Sequence, residues 1–410
     1  MRTMTVVALV TVLLVGVGAG IIGCGGDGGA SPTPVESQPL AEEYIEMGGT
    51  LPLTGIGAYL GLPVQKAVDL VVESFNDGGG IVIDGTRYLI NMIWYDDAYD
   101  PVRGRTNVEK LVNTDKVDYL IGLFGSTFAA SSSVFADKPI LVTTTSTGGE
   151  EIISHDLPYV FRPYSGATVG AYSIMRWLID NYGIERFAIL TYETKSSIDI
   201  AEFYEKVCSD LGVETSSIYY PPITLDYYTM LTTLLADDPD LLFVGPEPLK
   251  QARQLGYEGM TTGMLTSANV GVVVGTAGEE YAEGYFMSQN IDWTATPETI
   301  AFHDAFVAKY GEYDDQALSF VGLIEAVIQG IEKAGSVDPT DVMMALDEMA
   351  TENEPVHLPI GDAYWAGAQR YDGLNHQLVM PIHMMDIHNG EPRLLAVLPP
   401  PSDEELVPFE

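Results

Sequence analysis

Short apolar runs alternate with longer amphipathic runs along most of this chain, and the alternation is completed twice. From residue 47 it reads as strand 48–53, helix 62–77, strand 88–95, helix 102–113, strand 118–124, a short helix near 128–135 and strand 140–144. The first helix carries Val64, Val68, Val71, Val72 and Phe75 on one face and is stopped by Gly78-Gly79-Gly80. After residues 159–162 the pattern restarts: helix 167–181, strand 187–191, helix 198–211, strand 216–220, a helix near 228–235, strand 241–245, helix 250–256, then strands 264–266 and 285–288. Strands joined by helices in this way are βαβ units, which build a parallel sheet with helices on both faces. Two such series predict an α/β chain with two doubly wound lobes. Three helices follow, at 298–310, 316–333 and 339–349. A hairpin over 379–387 and 393–397 then turns at Asn389-Gly390.

The ends of the chain read differently. Residues 5–22 are apolar and uncharged after Arg2 and finish at Ile21-Ile22-Gly23-Cys24, a secretory signal in outline. A small residue followed by cysteine resembles the lipobox of bacterial and archaeal lipoproteins, in which the cysteine is lipidated and becomes the mature N-terminus. The run is also about long enough to span a bilayer, so an uncleaved anchor is the alternative. Either way, the remainder is expected outside the cytoplasm. The expected organisation is a signal peptide at 1–23, a Gly- and Pro-rich linker at 24–43, one lobe from 44–163 and 290–375, a second from 164–289 and 376–398, and an unstructured Pro- and Glu-rich tail at 399–410.

Composition narrows the partners. With 58 acidic residues against 19 basic ones the formal charge is −39, which repels nucleic acid and anionic lipid alike. Only Cys24 and Cys208 are present, so a lipidated Cys24 leaves no disulfide. Cys208 lies in a helical pattern with Phe203, Val207 and Leu211 and reads as a small core residue.

Ligands of doubly wound sheets lie beyond the carboxyl ends of the strands. The first such tip holds Thr54, Gly55, Gly57, Tyr59, Leu60 and Gly61, where glycines let backbone N–H groups approach an anionic group at a helix start. The third is Gly125-Ser126-Thr127, and the fourth runs from Thr143 through Thr145, Ser146 and Thr147 to Gly148-Gly149-Glu150. For one hydroxyl alone, a helix N-cap is the simpler reading. Three hydroxyl-rich tips on one sheet favour a carboxylate or amide oxygen as ligand. The second series ends in Tyr192-Glu193-Thr194, Gly245-Pro246-Glu247-Pro248 and Ser267-Ala268-Asn269, where Glu193 or Glu247 could receive a cation such as an α-ammonium.

Catalytic patterns are missing from the sequence. There is no Gly-x-Ser-x-Gly elbow, and the six histidines lack His-Glu-x-x-His spacing or cysteine partners. Asp96, Asp97 and Asp100 lack the calcium-loop pattern and read as loop caps. Gly55-x-Gly57-x-x-x-Gly61 with Asp96/Asp97 after the next strand imitates a dinucleotide site, which keeps an oxidoreductase as the remote alternative. Export and the second set of polar tips oppose it. No enzyme, cofactor or metal is expected.

Pro52-Leu53-Thr54-Gly55, Gly78-Gly79-Gly80, Asp96-Asp97-Ala98-Tyr99-Asp100-Pro101, Tyr119-Leu120-Ile121-Gly122, Ala282-Glu283-Gly284 and Ala334-Gly335, in this order, resemble the leucine/isoleucine/valine-binding branch of the type I periplasmic solute-binding proteins, over about 47–397. The resemblance implies two lobes on a multi-strand hinge, a small solute in the cleft between them, and delivery to the permease subunits of an ABC importer. It puts a carboxylate-binding serine on Ser126, paired backbone and hydroxyl contacts on Thr145 and Thr147, and a first-loop aromatic near Leu60, beside Tyr59. In the second lobe an aromatic clamp falls near Ser196, with Tyr192 as substitute, and another aromatic near Pro246. The acid for an α-ammonium falls near Ser267, which carries no charge. The expected solute is a small carboxylate: an amino acid, an amide or an aromatic acid. A monomer tethered by lipid is expected, with hinges near 162–164, 288–291 and before the final hairpin. The ligand-binding part of a sensory system is the alternative.

Overall fold

The computed structural model describes residues 40–145, 152–164, 168–221, 223–263, 270–288, 292–314, 316–350 and 354–406. The expected signal peptide and Cys24 lie outside these residues, as does the linker up to residue 39.

The first sheet has six strands: β1 (Ala41–Leu51), β2 (Ile81–Ile83), β3 (Thr86–Asp96), β4 (Tyr119–Leu123), β5 (Leu141–Thr144) and β6 (Val160–Phe161). Their spatial order is β2-β3-β1-β4-β5-β6, parallel except for β2. The connecting helices α1 (Ala58–Asp77), α2 (Pro101–Lys110) and α3 (Gly125–Phe135) match the expected helices in order, though α1 starts earlier and α2 ends at Lys110 rather than 113. β1 begins inside the expected linker, because Ala41 already pairs with Thr86 across a register that runs to Leu51 and Asp96. β2 was not anticipated; Asp84 and Gly85, both at positive φ, turn it back onto β3.

The second sheet holds β7 (Arg186–Tyr192), β8 (Glu214–Tyr220), β9 (Leu241–Phe243), β10 (Met260–Thr262) and β11 (Tyr285–Ser288). These five are parallel, in the order β11-β10-β9-β7-β8. Its helices are α4 (Ala171–Tyr182), α5 (Lys195–Asp210), α6 (Tyr228–Leu235), α7 (Pro246–Gln254), α8 (Val270–Ala277) and the short α9 (Glu279–Ala282). The chain then returns to the first sheet. α10 (Pro297–Tyr310), α11 (Gly322–Ala334) and α12 (Pro339–Glu348) bury Phe306, Leu323, Val327 and Leu346 in one core with Met47, Leu51, Val64 and Val68. A small third sheet, β12 (Val356–Leu358), β13 (Gly361–Ala366) and β14 (Gln377–Val379), closes the same core with Trp365 and Leu378.

The last hairpin, β15 (Ile382–His388) and β16 (Glu391–Leu398), joins the second sheet antiparallel to β11. Asn389 (φ 53°) and Gly390 (φ 77°) make its turn. The strand expected over 379–387 is divided between two sheets at Met380-Pro381, where proline has no N–H for a ladder. Helix 250–256 instead starts at Pro246; the strand expected at 264–266 lies outside the described residues, and β10 ends before it at Thr262. Cys208 is fully buried, as its helical spacing suggested.

The tail departs from expectation. Through residue 406 it is packed against the body: Leu406 is buried, Asp403 accepts from the Gly367 and Gln369 amides, and Ser173 donates to Glu405. Carboxylates that looked like solvating charges are capping backbone N–H groups.

Candidate functional site

The carboxyl ends of β1, β3, β4 and β5 converge on one edge of the first sheet, and tandem carboxylates at the end of β3 organise it. Asp96 accepts from the amides of Leu53 (2.9 Å), Thr54 (3.2 Å) and Ala98 (2.9 Å), from the Thr54 hydroxyl (2.6 Å) and from Arg103 (3.2 Å). Burial opposes its ionisation, but these bonds and the Arg103 charge outweigh burial and hold the carboxyl below its ordinary range. Asp97 is buried. It accepts from the Tyr99 amide (2.9 Å), the Thr127 hydroxyl (3.1 Å) and, at 3.5 Å, the Thr50 hydroxyl. Burial pushes the Asp97 carboxyl up. One aspartate thus fixes the first tip and the other ties the third tip to β1.

The glycines of the first tip are explained by packing. A Cβ on Gly57 would lie 2.9 Å from the Cβ atoms of both Pro52 and Tyr99, and one on Gly61 would collide with the Pro52 carbonyl. Only Gly55, at φ +75°, meets a conformational need there. The dinucleotide-like spacing therefore reflects close approach of the chain to itself. Among the described residues no group of three His, Cys, Asp or Glu side chains could hold a metal ion.

α3 begins three residues earlier than expected, so Ser126 stands in its first turn and is exposed. Among the described residues no side chain caps this helix; its cap position is Phe124. The first-turn amides therefore carry the partial positive charge of a helix start, with the exposed Ser126 among them. Thr54 does not cap either, since its hydroxyl donates to Asp96. Thr145 is buried beside this helix start. Its amide donates to the Leu123 carbonyl at 3.1 Å, and its hydroxyl reaches the same oxygen only at 3.5 Å. Tyr59 projects into solvent from the first tip, with Leu60 half-buried next to it. Ser146 and Thr147 lie outside the described residues, and so does Ser267 of the second lobe.

On the second sheet the tips of β7 and β8 carry a cluster of tilted and edge-on tyrosines that the sequence did not reveal. Tyr192 packs on Tyr220 at 4.9 Å between ring centroids, and Tyr220 on Tyr227 at 5.0 Å. Tyr220 and Tyr227 are buried, while Tyr192 is half-buried. Glu193 is exposed; the neighbouring Thr194 caps α5. Glu247 stands exposed in the first turn of α7, and its charge reaches Tyr192, Tyr220, Tyr227 and Tyr285. Burial is the larger cause of the raised Tyr192 phenol, with Glu247 second; Tyr59 of the first tip contributes from across the cleft. The expected site residues that are described thus stand on facing strand tips of the two sheets. The tyrosines at 219–220 and 227–228 flanking a proline-rich turn were the available signal for the cluster.

A cavity of about 630 Å³ lies elsewhere, lined by Tyr182, Ile184, Asp240, Leu255 and Tyr257 at the amino-terminal ends of the second-sheet strands. It is remote from every strand tip described above.

A family model described as periplasmic binding protein matches residues 44–391. The Leu/Ile/Val-binding protein BraC3 of Rhizobium johnstonii is 25% identical over 319 residues, covering 74% of this chain and 83% of the relative. The leucine-, isoleucine-, valine-, threonine-, and alanine-binding protein of Pseudomonas aeruginosa is 25% identical over 326 residues, covering 76% and 84%. In fold, the chain resembles a leucine binding protein from Thermotoga maritima, with a TM-score of 0.71 at 17% identity over 87% of this chain and 99% of the other. A solute-binding protein from R. palustris in complex with benzoate gives a TM-score of 0.69 at 18% identity over 88% and 99%. Two doubly wound sheets with facing tips, and a match across most of the sequence, lead to one conclusion: the chain belongs to the periplasmic binding protein family.

Proposed function

We propose that the protein is the extracytoplasmic solute-binding component of an ABC importer, taking a small carboxylate-bearing solute between its lobes. The start of α3, uncapped among the described residues, carries this reading: exposed Ser126 and the first-turn amides offer neutral donors to an anion in a chain of charge −39. Thr145 can release its long 3.5 Å contact to a ligand oxygen, and Ser146 and Thr147 would extend the same cradle. Opposite, Tyr192 supplies an aromatic face. Glu247 supplies the charge that Ser267 lacks, so an α-ammonium would be held there, with Glu193 at the rim. Tyr59 and Leu60 would cover the solute from the first tip. The ligands named for the relatives, leucine, isoleucine and valine, and the benzoate held by a structural neighbour share the carboxylate this site would grip.

In this reading the lobes are 44–163 with 290–375 and 164–289 with 376–398, hinged at 162–164, 288–291 and 380–381. The protein acts as a monomer, and lipid on Cys24 with the following spacer tethers it beside the permease. A thermal-shift panel of amino acids, amides and aromatic acids tests the site. A solute at a hundredfold excess over Kd adds about 2.7 kcal/mol to the stability, and Ser126→Ala should weaken that gain. A panel in which no carboxylate stabilises the protein refutes the proposal.

A further inference from the structure

The chain crosses between its two sheets after β6, after β11 and between β14 and β15. β6 is one edge of the first sheet, and β14 runs beside it through the Arg162–Gln377 bridge. β11 and β15 are neighbours near the corresponding edge of the second sheet. All three crossings therefore lie on one side of the molecule. The strands farthest from them that end at the cleft are β3 in the first sheet and β8 in the second, so the loops after these strands form the two rims of the cleft mouth.

Both rims display apolar side chains. On the second sheet's rim, Ile223 is 88% exposed and Leu225 is 87% exposed. This turn is not free to tuck them in. The Thr224 amide donates to the Pro221 carbonyl, the Tyr227 hydroxyl to the Thr224 carbonyl, and Gln251 grips both the Leu225 carbonyl and the Tyr227 amide. On the first sheet's rim, Tyr99 is 48% exposed and Val102 is 73% exposed. Ala98 and Tyr99 both sit at positive φ, held there by the Asp96 and Asp97 carboxylates. A strained backbone is thus maintained in order to present Tyr99 outward.

We propose that these rims are the two halves of an apolar clasp: when the cleft closes, the turn bearing Ile223 and Leu225 seats on Tyr99 and Val102. The proposal rests on the two-lobed solute-binding reading. Its physical reason is charge. In a chain at −39, closing one lobe on the other brings like charges together, Asp100 and Asp226 of the two rims among them, although each already accepts from amides of its own helix start; contact between the apolar rim side chains supplies an attraction that salt does not screen. Rigid display on both sides keeps the ordering cost of that contact small.

Disulfide trapping in the full chain carrying Cys24→Ser tests it without knowledge of the solute. One variant pairs Val102→Cys with Leu225→Cys at the mouth, and another, the deep pair, joins Tyr59→Cys of the first tip to Glu193→Cys after β7, on strands nearer the crossings. Both pairs should link within one chain on mild oxidation, read by mass spectrometry. Adding Ile223→Ser to the deep pair should slow its linking roughly tenfold, as the clasp loses apolar contact. If only the deep pair links, closure stands and the clasp is wrong, leaving the rims to an outside partner. If neither links, hinge closure itself fails. An unchanged rate with Ile223→Ser also overturns the clasp.

Discussion

Replacing Asp97 by alanine and by asparagine separates what its hydrogen bonds do from what its charge does. The carboxylate is buried where β1, β3 and α3 meet and accepts from the Tyr99 amide and the Thr127 hydroxyl. Asp97→Ala leaves both donors without an acceptor, at about 1–3 kcal/mol each, so a loss of roughly 3 kcal/mol is expected. Asparagine keeps an oxygen for the Tyr99 amide, and the Thr127 hydroxyl can rotate to accept from its NH2 group, so Asp97→Asn should cost about 1 kcal/mol. The pH dependence has a defined sign. The folded Asp97 carboxyl titrates above its ordinary value, so its stabilising contribution is fully present below the unfolded pKa and is lost as pH rises through the folded one. The deficit of Asp97→Asn against the parent should therefore shrink between about pH 3 and pH 7. Urea unfolding followed by tryptophan fluorescence at the two ends of that range measures it, with the slope in urea checked for constancy. A deficit that grows with pH would show that the charged form is the stabilising one and would refute this account.

Two further outcomes follow from buried groups outside the cleft. His383 on β15 is buried with its Nδ1 unpartnered among the described residues, and burial lowers its pKa against the pull of Asp292. Its neutral form belongs to the folded state, so stability is present above the unfolded value of about 6.5 and is lost as pH falls through the folded one. Thermal melts of His383→Leu across that range should show a flatter acid limb than the parent, and equal slopes would contradict it. Cys208 is fully buried with its thiol pushed up to about 12, so it should resist a thiol-specific reagent until urea unfolds the second lobe. Labelling of native protein at the rate of a free thiol would rule this out.

Regular elements were legible because their signal is periodic: Val64, Val68, Val71 and Val72 marked one face of α1 and lie in the core that face predicted. The Asn389-Gly390 hairpin was legible because only a few residues accept its backbone angles. Other features left no local trace. The third sheet depends on β12, β13 and β14 meeting over Trp365, which no short window reveals. The packed tail depends on Asp403 finding amides 36 residues away, whereas in isolation its composition reads as solvated. At the site, Ser126 was found from its place after a strand. What distinguishes it from an ordinary cap, namely that among the described residues no side chain closes the α3 N-terminus, is a fact of three dimensions. The tyrosine cluster was missed because Tyr192, Tyr220 and Tyr227 come from separate elements and only the sheet brings them together.

The three crossings also govern how the molecule can be made. The first core joins residues 45–164 to residues 302–380, and the Tyr119 hydroxyl donates to the Val337 carbonyl 218 positions later. The second sheet waits for β15 and β16, the last strands of all. Neither half can finish while the final quarter of the chain is still absent. Contacts so distant in sequence are slow to form. A chain emerging end-first from a narrow pore therefore stays threadable until almost all of it has passed, and then both halves complete together.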